Sequence, residues 1–145
     1  MKPSILYRIA SILILLLALG HLLGFRQSDP AWHADTLIAT MHSLHFNIQG
    51  FDRTYWDLFI AAGFVVGILY IFLGILTWQL GSLSAESLTR LRLTRWALAL
   101  AFAANTFISW QHLFVIPIIF SAVITICLIV AALAPAPLEA NHNQL

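Results

Sequence analysis

Four apolar stretches constrain this chain of 145 residues more than any other feature: residues 5–25, 58–80, 93–110 and 115–133. At about 1.5 Å of rise per residue, each reaches most or all of the way across a hydrocarbon layer of roughly 30 Å. Lipid offers backbone amides no partner, so a spanning segment must bond to itself as a helix or close into a barrel. These runs lack the alternation of barrel strands, which leaves helices. Composition agrees, with 61% of residues hydrophobic and 9% charged, against roughly a quarter charged in soluble domains. The expected fold is all-α: a polytopic membrane four-helix bundle forming a single domain over residues 1–145, with helices at about 5–25, 55–80, 85–110 and 115–134.

The first run begins just after Lys2, carries Arg8 early in it and passes small residues at Ala18 and Gly20, as signal peptides do. It stays apolar to Phe25, so it reads as a retained first helix. Cytoplasmic loops are enriched in Lys and Arg. Lys2 and Arg8 mark the amino-terminal end, and Arg90, Arg92 and Arg95 mark the connection between the second and third helices. Both termini and that connection are therefore expected in the cytoplasm, with the membrane itself the main partner. The segment 26–57 and the turn at Gln111 and His112 then face outward. Seven Lys and Arg against six Asp and Glu leave no excess charge to attract nucleic acid. Cys127 lies alone in an apolar run, which suits a buried, inert thiol. The tail after Pro135 and Pro137 is polar and expected to fray.

The outer segment carries its own helix signals. Asp29 suits an N-cap and Pro30 a first helical position. Leu37, Ile38, Met41, Leu44, His45 and Ile48 recur at helical spacing, which predicts an extra amphipathic helix in the first outer loop, at about 30–48, ended by Gly50. Thr54 and Asp57 form a capping box at the start of the second helix. Tyr55 and Trp56 suit the membrane interface, Ser84 suits the N-cap of the third helix, and Pro117 falls in the first turn of the fourth.

Gly63, Gly67, Tyr70, Gly74, Thr77 and Gly81 fall four and three residues apart, so they form one stripe along which another helix can approach closely. Gly20 and Gly24, and Ala97, Ala101 and Ala104, offer matching small surfaces. Asn105 lies in an apolar run and is expected to bond across helices, while Ser121 and Thr125 repeat at a spacing of four in the fourth run.

Five of the six histidines, His21, His33, His42, His45 and His112, map to the outer half of this topology, with His142 in the tail. His42 and His45 are three apart beside Met41, so on one helix they would present two imidazoles to a metal. Imidazole with a thioether suits copper, and imidazole alone suits zinc or haem iron. No strong metal signature is present, and ordinary packing accounts for the same residues, so the working expectation is no cofactor, with copper or haem as the alternative. Arg53 lies between Asp52 and Asp57. It suits a surface ion pair or an anion clamp, since its planar fork matches two oxygens. His21, His45, Arg53, Asp57 and His112 together form the candidate site at the outer mouth.

Met41 and the run Phe51-Asp52-Arg53-Thr54-Tyr55-Trp56-Asp57, leading into Phe64 and the glycines that follow, resemble small bacterial four-helix membrane proteins of the DoxX-like kind. The resemblance implies architecture and a bacterial inner membrane, and carries over no catalytic residues. The histidines have no place in that pattern.

These features favour a ligand-binding or accessory bundle, working alone, as a homo-oligomer or beside a larger membrane complex. The alternatives are a membrane enzyme or redox protein acting on a lipid or quinone-like molecule, a metal- or haem-binding protein, and a small transporter. No helix has the charged stripe of an ion channel.

Overall fold

The computed structural model describes residues 3–134. Lys2, Pro135, Pro137 and His142 lie outside them, and with them the expectations for the amino-terminal charge and the tail.

Helices dominate. In chain order they are α1 (Pro3–Gly24), α2 (Asp35–Ser43), α3 (Tyr55–Ser82), α4 (Ala85–Arg90), α5 (Arg92–His112) and α6 (Val115–Leu133). A 3-10 turn (Pro30–Trp32) precedes α2, and two strands, β1 (His45–Ile48) and β2 (Phe51–Thr54), join α2 to α3. Helices α1, α3 and α6 are long and apolar enough to cross a membrane. At 22, 28 and 19 residues they measure about 33, 42 and 28 Å.

Their surfaces point to lipid. Helix α3 is apolar on every face, the mark of a helix with no aqueous side. Phe64, Val65, Ile68, Leu69, Phe72 and Ile75 are all exposed on it. Full burial of one such side chain is worth about 1.5–3 kcal/mol, so a water-facing α3 would leave unrealised an amount of burial comparable to a domain's whole stability.

The chain divides into two compact units, Met1–Leu15 with Leu73–Leu145, and Leu16–Phe72. The boundaries fall within α1 and within α3. In the first unit the core is Tyr7, Ala10, Ile14, Leu98, Ala99, Phe102, Ile124, Leu128 and Ala131. Helices α5 and α6 form a hairpin closed by Leu113 and Phe114, too short a link for anything but antiparallel neighbours. The Thr106 and Thr125 hydroxyls meet across it at 3.0 Å. Ser121 does not cross, since its hydroxyl donates to Pro117 O at 2.6 Å and Ile118 O at 3.2 Å in its own helix.

The glycine stripe of α3 faces α1 in both units. A Cβ at Gly74 would lie 2.7 Å from Leu15, and one at Gly81 would lie 3.0 Å from the Ser4 carbonyl oxygen. In the second unit Gly67 takes Leu22 and Gly63 takes the ring of Phe25. Ser11, buried, donates to the Gly74 carbonyl at 2.7 Å, a bond that the missing side chain makes reachable.

The cap signals hold, with two changes of extent. Asp29 accepts from the Ala31 amide at 2.8 Å with Pro30 at the first position, but it caps the 3-10 turn and not a long helix. Ser84 caps α4, which stops at Leu91, so the expected third helix is broken into α4 and α5. The Thr54 and Asp57 box is complete. The Thr54 amide donates to the Asp57 carboxylate at 2.8 Å, and the Asp57 amide to the Thr54 hydroxyl at 3.1 Å.

The amphipathic helix expected at 30–48 is corrected. Helix α2 stops at Ser43 because Leu44 turns extended, at φ −82° and ψ 98°. Residues 45–54 form an antiparallel hairpin that pairs His45 with Thr54, Phe46 with Arg53, Asn47 with Asp52 and Ile48 with Phe51. Gln49 and Gly50 both have positive φ, 51° and 90°, as the tight hairpin turn that matches strand twist requires. The Asn47 carboxamide accepts from the Gly50 amide at 2.8 Å and holds that turn.

Candidate functional site

The five candidate residues divide between the units. His112 ends α5 and belongs to the first unit. His21, His45, Arg53 and Asp57 belong to the second, and each has a local partner there.

His21 sits in the last turn of α1. Its Nε2 lies 2.8 Å from the Gly63 carbonyl oxygen, and a carbonyl only accepts, so Nε2 carries the proton. The ring stacks on Phe25 with centroids 5.2 Å apart and meets Tyr70 edge-on at 6.3 Å. Phe25 also meets Phe59 and Phe64 at 5.9 and 5.4 Å. The Arg26 guanidinium lies 5.4 Å over Phe64 and 5.6 Å over Phe25, so this aromatic cluster is topped by a cation. The His21 bond should be worth about 1 kcal/mol. His21→Phe, which keeps the stacking and loses the bond, should lower stability by about that amount as read from thermal unfolding in detergent. An unchanged midpoint would show the bond to be incidental.

His45 projects from β1 and its Nδ1 lies 3.0 Å from the Asp52 carboxylate, a diagonal cross-strand pair. Both side chains are exposed. Arg53 is exposed too. Its Nη1 donates to the Asp52 carbonyl at 2.6 Å, and the guanidinium lies 5.3 Å over the Phe51 ring. The expected ion pair of Arg53 with its flanking acids is not among the ion pairs of the described residues, because Asp52 turns to His45 and Asp57 is held by Thr54.

His42 and His45 do not share a helix. His42 lies in the last turn of α2 and packs on Trp56 at 4.4 Å between ring centroids, whereas His45 begins β1. Among the described residues no three His, Cys, Asp or Glu side chains form a group that could hold a metal ion.

One polar centre escaped the sequence reading, in the first unit. Arg95 is 6% exposed and makes four hydrogen bonds, none to a carboxylate. Its Nε donates to the Tyr7 hydroxyl at 3.0 Å and Nη1 to the Leu88 carbonyl at 3.1 Å. Its Nη2 donates to the carbonyls of Ala131 and Ala132 at 2.6 and 3.1 Å. Leu88, Ala131 and Ala132 lie in the last turns of α4 and α6, where carbonyls have no helical partner and the helix dipole favours a cation. Arg95 thus ties α1, α4 and α6 to α5. A charged residue inside the third apolar run, with Tyr7 in the first, is the sequence signal for it.

No protein-family model matches the chain, and no curated protein or solved structure is similar enough to assign it relatives.

Proposed function

We propose that this chain crosses a bacterial inner membrane four times, with both termini in the cytoplasm, and acts as a ligand-binding or accessory protein through its outer segment. The observation that carries the reading lies between α1 and α3. No residue from Arg26 to Thr54 is buried, yet the segment has a 3-10 turn, a helix and a hairpin. It exposes Trp32, Leu37, Leu44, Ile48 and Phe51. An ordered stretch that shows so much apolar surface and has no core of its own is built to meet something apolar.

Helix α5 supplies the fourth crossing. At 21 residues it measures about 32 Å, it packs on α6, and Leu100, Phe107, Ile108 and Trp110 face outward from it. Arg95 lowers its apolar character but is already paired within the protein.

The reading is tested by extracting the protein from membranes in polymer nanodiscs and weighing the intact assemblies. An apolar small molecule or a partner chain should remain bound to the wild type and be lost from Trp32→Ser/Leu37→Ser. A wild type carrying neither would sink the reading. Topology has a separate check, because a reporter after Leu145 should read cytoplasmic and one inserted at Gln49–Gly50 should read external.

The His45–Asp52 pair supports a second reading, a membrane enzyme acting on a lipid or quinone-like molecule. A carboxylate on Nδ1 orients the ring and leaves Nε2 free to move a proton. Loss of a turnover in His45→Gln, with ligand retention intact, would distinguish it.

A further inference from the structure

The register of the hairpin sorts its side chains into two unlike faces. Directly paired residues point the same way and successive residues point opposite ways. One face therefore carries Phe46, Ile48, Phe51 and Arg53, and the other carries His45, Asn47, Asp52 and Thr54. Contacts agree with this sorting. His45 meets Asp52 on the polar face. On the apolar face Phe46 meets Tyr55 at 5.1 Å, and Arg53 lies over Phe51. Ile48 and Phe51, at the tip, are 44% and 63% exposed.

The position of this hairpin is fixed by covalent continuity. Strand β2 ends at Thr54 and α3 begins at Tyr55, so at about 3.3 Å per residue the tip lies within roughly 17 Å of the start of α3. If α3 crosses the membrane, the hairpin is held at its surface. It can then either stand up into water, leaving its apolar face wet, or lie down along the headgroups.

We propose that it lies down: the apolar face rests in the headgroup layer of the outer leaflet, with Arg53 against phospholipid phosphate. The proposal rests on the reading that α3 spans the bilayer. Arg53 is the one ionic group on that face, and among the described residues it forms no ion pair with a carboxylate. Its neighbouring acid, Asp52, is on the opposite face and engaged by His45. A cation beside aromatic and aliphatic side chains matches phosphate over acyl chain. The Gln49–Gly50 turn brings Ile48 and Phe51 together as the part that enters deepest.

The test uses the full chain in vesicles of phosphatidylethanolamine and phosphatidylglycerol, with nitroxide labels on single cysteines in a Cys127→Ser background. Labels at Asn47→Cys, Ile48→Cys, Phe51→Cys and Asp52→Cys are compared for collision with oxygen, which concentrates in lipid, and with a water-soluble nickel chelate. The ratio of oxygen to nickel collisions should be several-fold higher at 48 and 51 than at 47 and 52. Four equally nickel-accessible sites would overturn the proposal, as would four sites shielded from both, which would mean burial against protein. Arg53→Glu should collapse the contrast and Arg53→Lys should keep it, and a contrast indifferent to both would remove the phosphate contact. A label at Leu69→Cys, midway along α3, separates the two levels. Nickel access there would defeat the spanning reading itself, whereas a lipid-immersed Leu69→Cys with a wet hairpin would defeat only the docking.

Discussion

Arg95→Leu should destabilise the protein by about 3 kcal/mol or more, since each buried partner left unsatisfied costs about 1–3 kcal/mol. Leucine cannot replace any of the four bonds, and three of the stranded acceptors are backbone carbonyls that no second substitution can remove. This differs from a buried ion pair, where apolar groups can replace both partners at little cost. Tyr7→Phe removes one bond and should cost about 1 kcal/mol. Arg95→Lys should fall between, because an ammonium presents its donors from a single point and cannot reach Tyr7, Leu88 and the end of α6 together. Thermal unfolding in detergent, followed by circular dichroism, should rank the variants in that order. An Arg95→Leu midpoint equal to that of the wild type would mean that water satisfies these carbonyls as well as the guanidinium does.

Gly81→Val should be the next most damaging change, at about 1–3 kcal/mol from overpacking. A Cβ there would sit 3.0 Å from the Ser4 carbonyl oxygen, 3.1 Å from Arg8 Cγ and 3.3 Å from Tyr7 Cβ, and valine adds two carbons beyond it. Backbone cannot rotate away as a side chain can, so α1 must shift, and Tyr7 shifts with it. Gly20→Ala is the control. Nothing lies within 4 Å of a Cβ at Gly20, and replacing a helical glycine by alanine stabilises by roughly 0.5–1 kcal/mol. The same pair of unfolding curves checks both, with opposite shifts expected.

The long helices, the stripe of glycines and the caps were legible in the sequence, because each depends on residues close together in the chain. Thr54 and Asp57 need only three residues of spacing to form their box. The hairpin was not legible for a specific reason. Leu37, Ile38, Met41, Leu44, His45 and Ile48 fit a helical period across a boundary where the true period changes to two. Phe46, Ile48, Phe51 and Arg53 carry that second pattern, and the Gln49–Gly50 turn lacks the Asn or Asp that usually announces it. The same boundary separates His42 from His45, since residues three apart share a face only on a helix. In the sequence Arg95 reads as a topology marker, because charge alone does not reveal burial. Its partners lie 88 residues away at Tyr7 and 36 away at Ala131, and no local rule reaches that far.

If α5 crosses the membrane as proposed, the bonds from Arg95 to the final turn of α6 also order events during synthesis. Helix α5 leaves the ribosome before the carbonyls that will receive its guanidinium exist, so on its own it presents the translocon with an unpaired charge and a weak claim to lipid. Helix α6, which is far more apolar, must follow for that charge to be received. On the four-crossing reading the two then enter as a pair, and α6 commits the helix before it. In Arg95→Leu that dependence disappears: α5 should insert more readily while the finished protein is less stable, so ease of biogenesis and durability of the product are set against each other at one side chain.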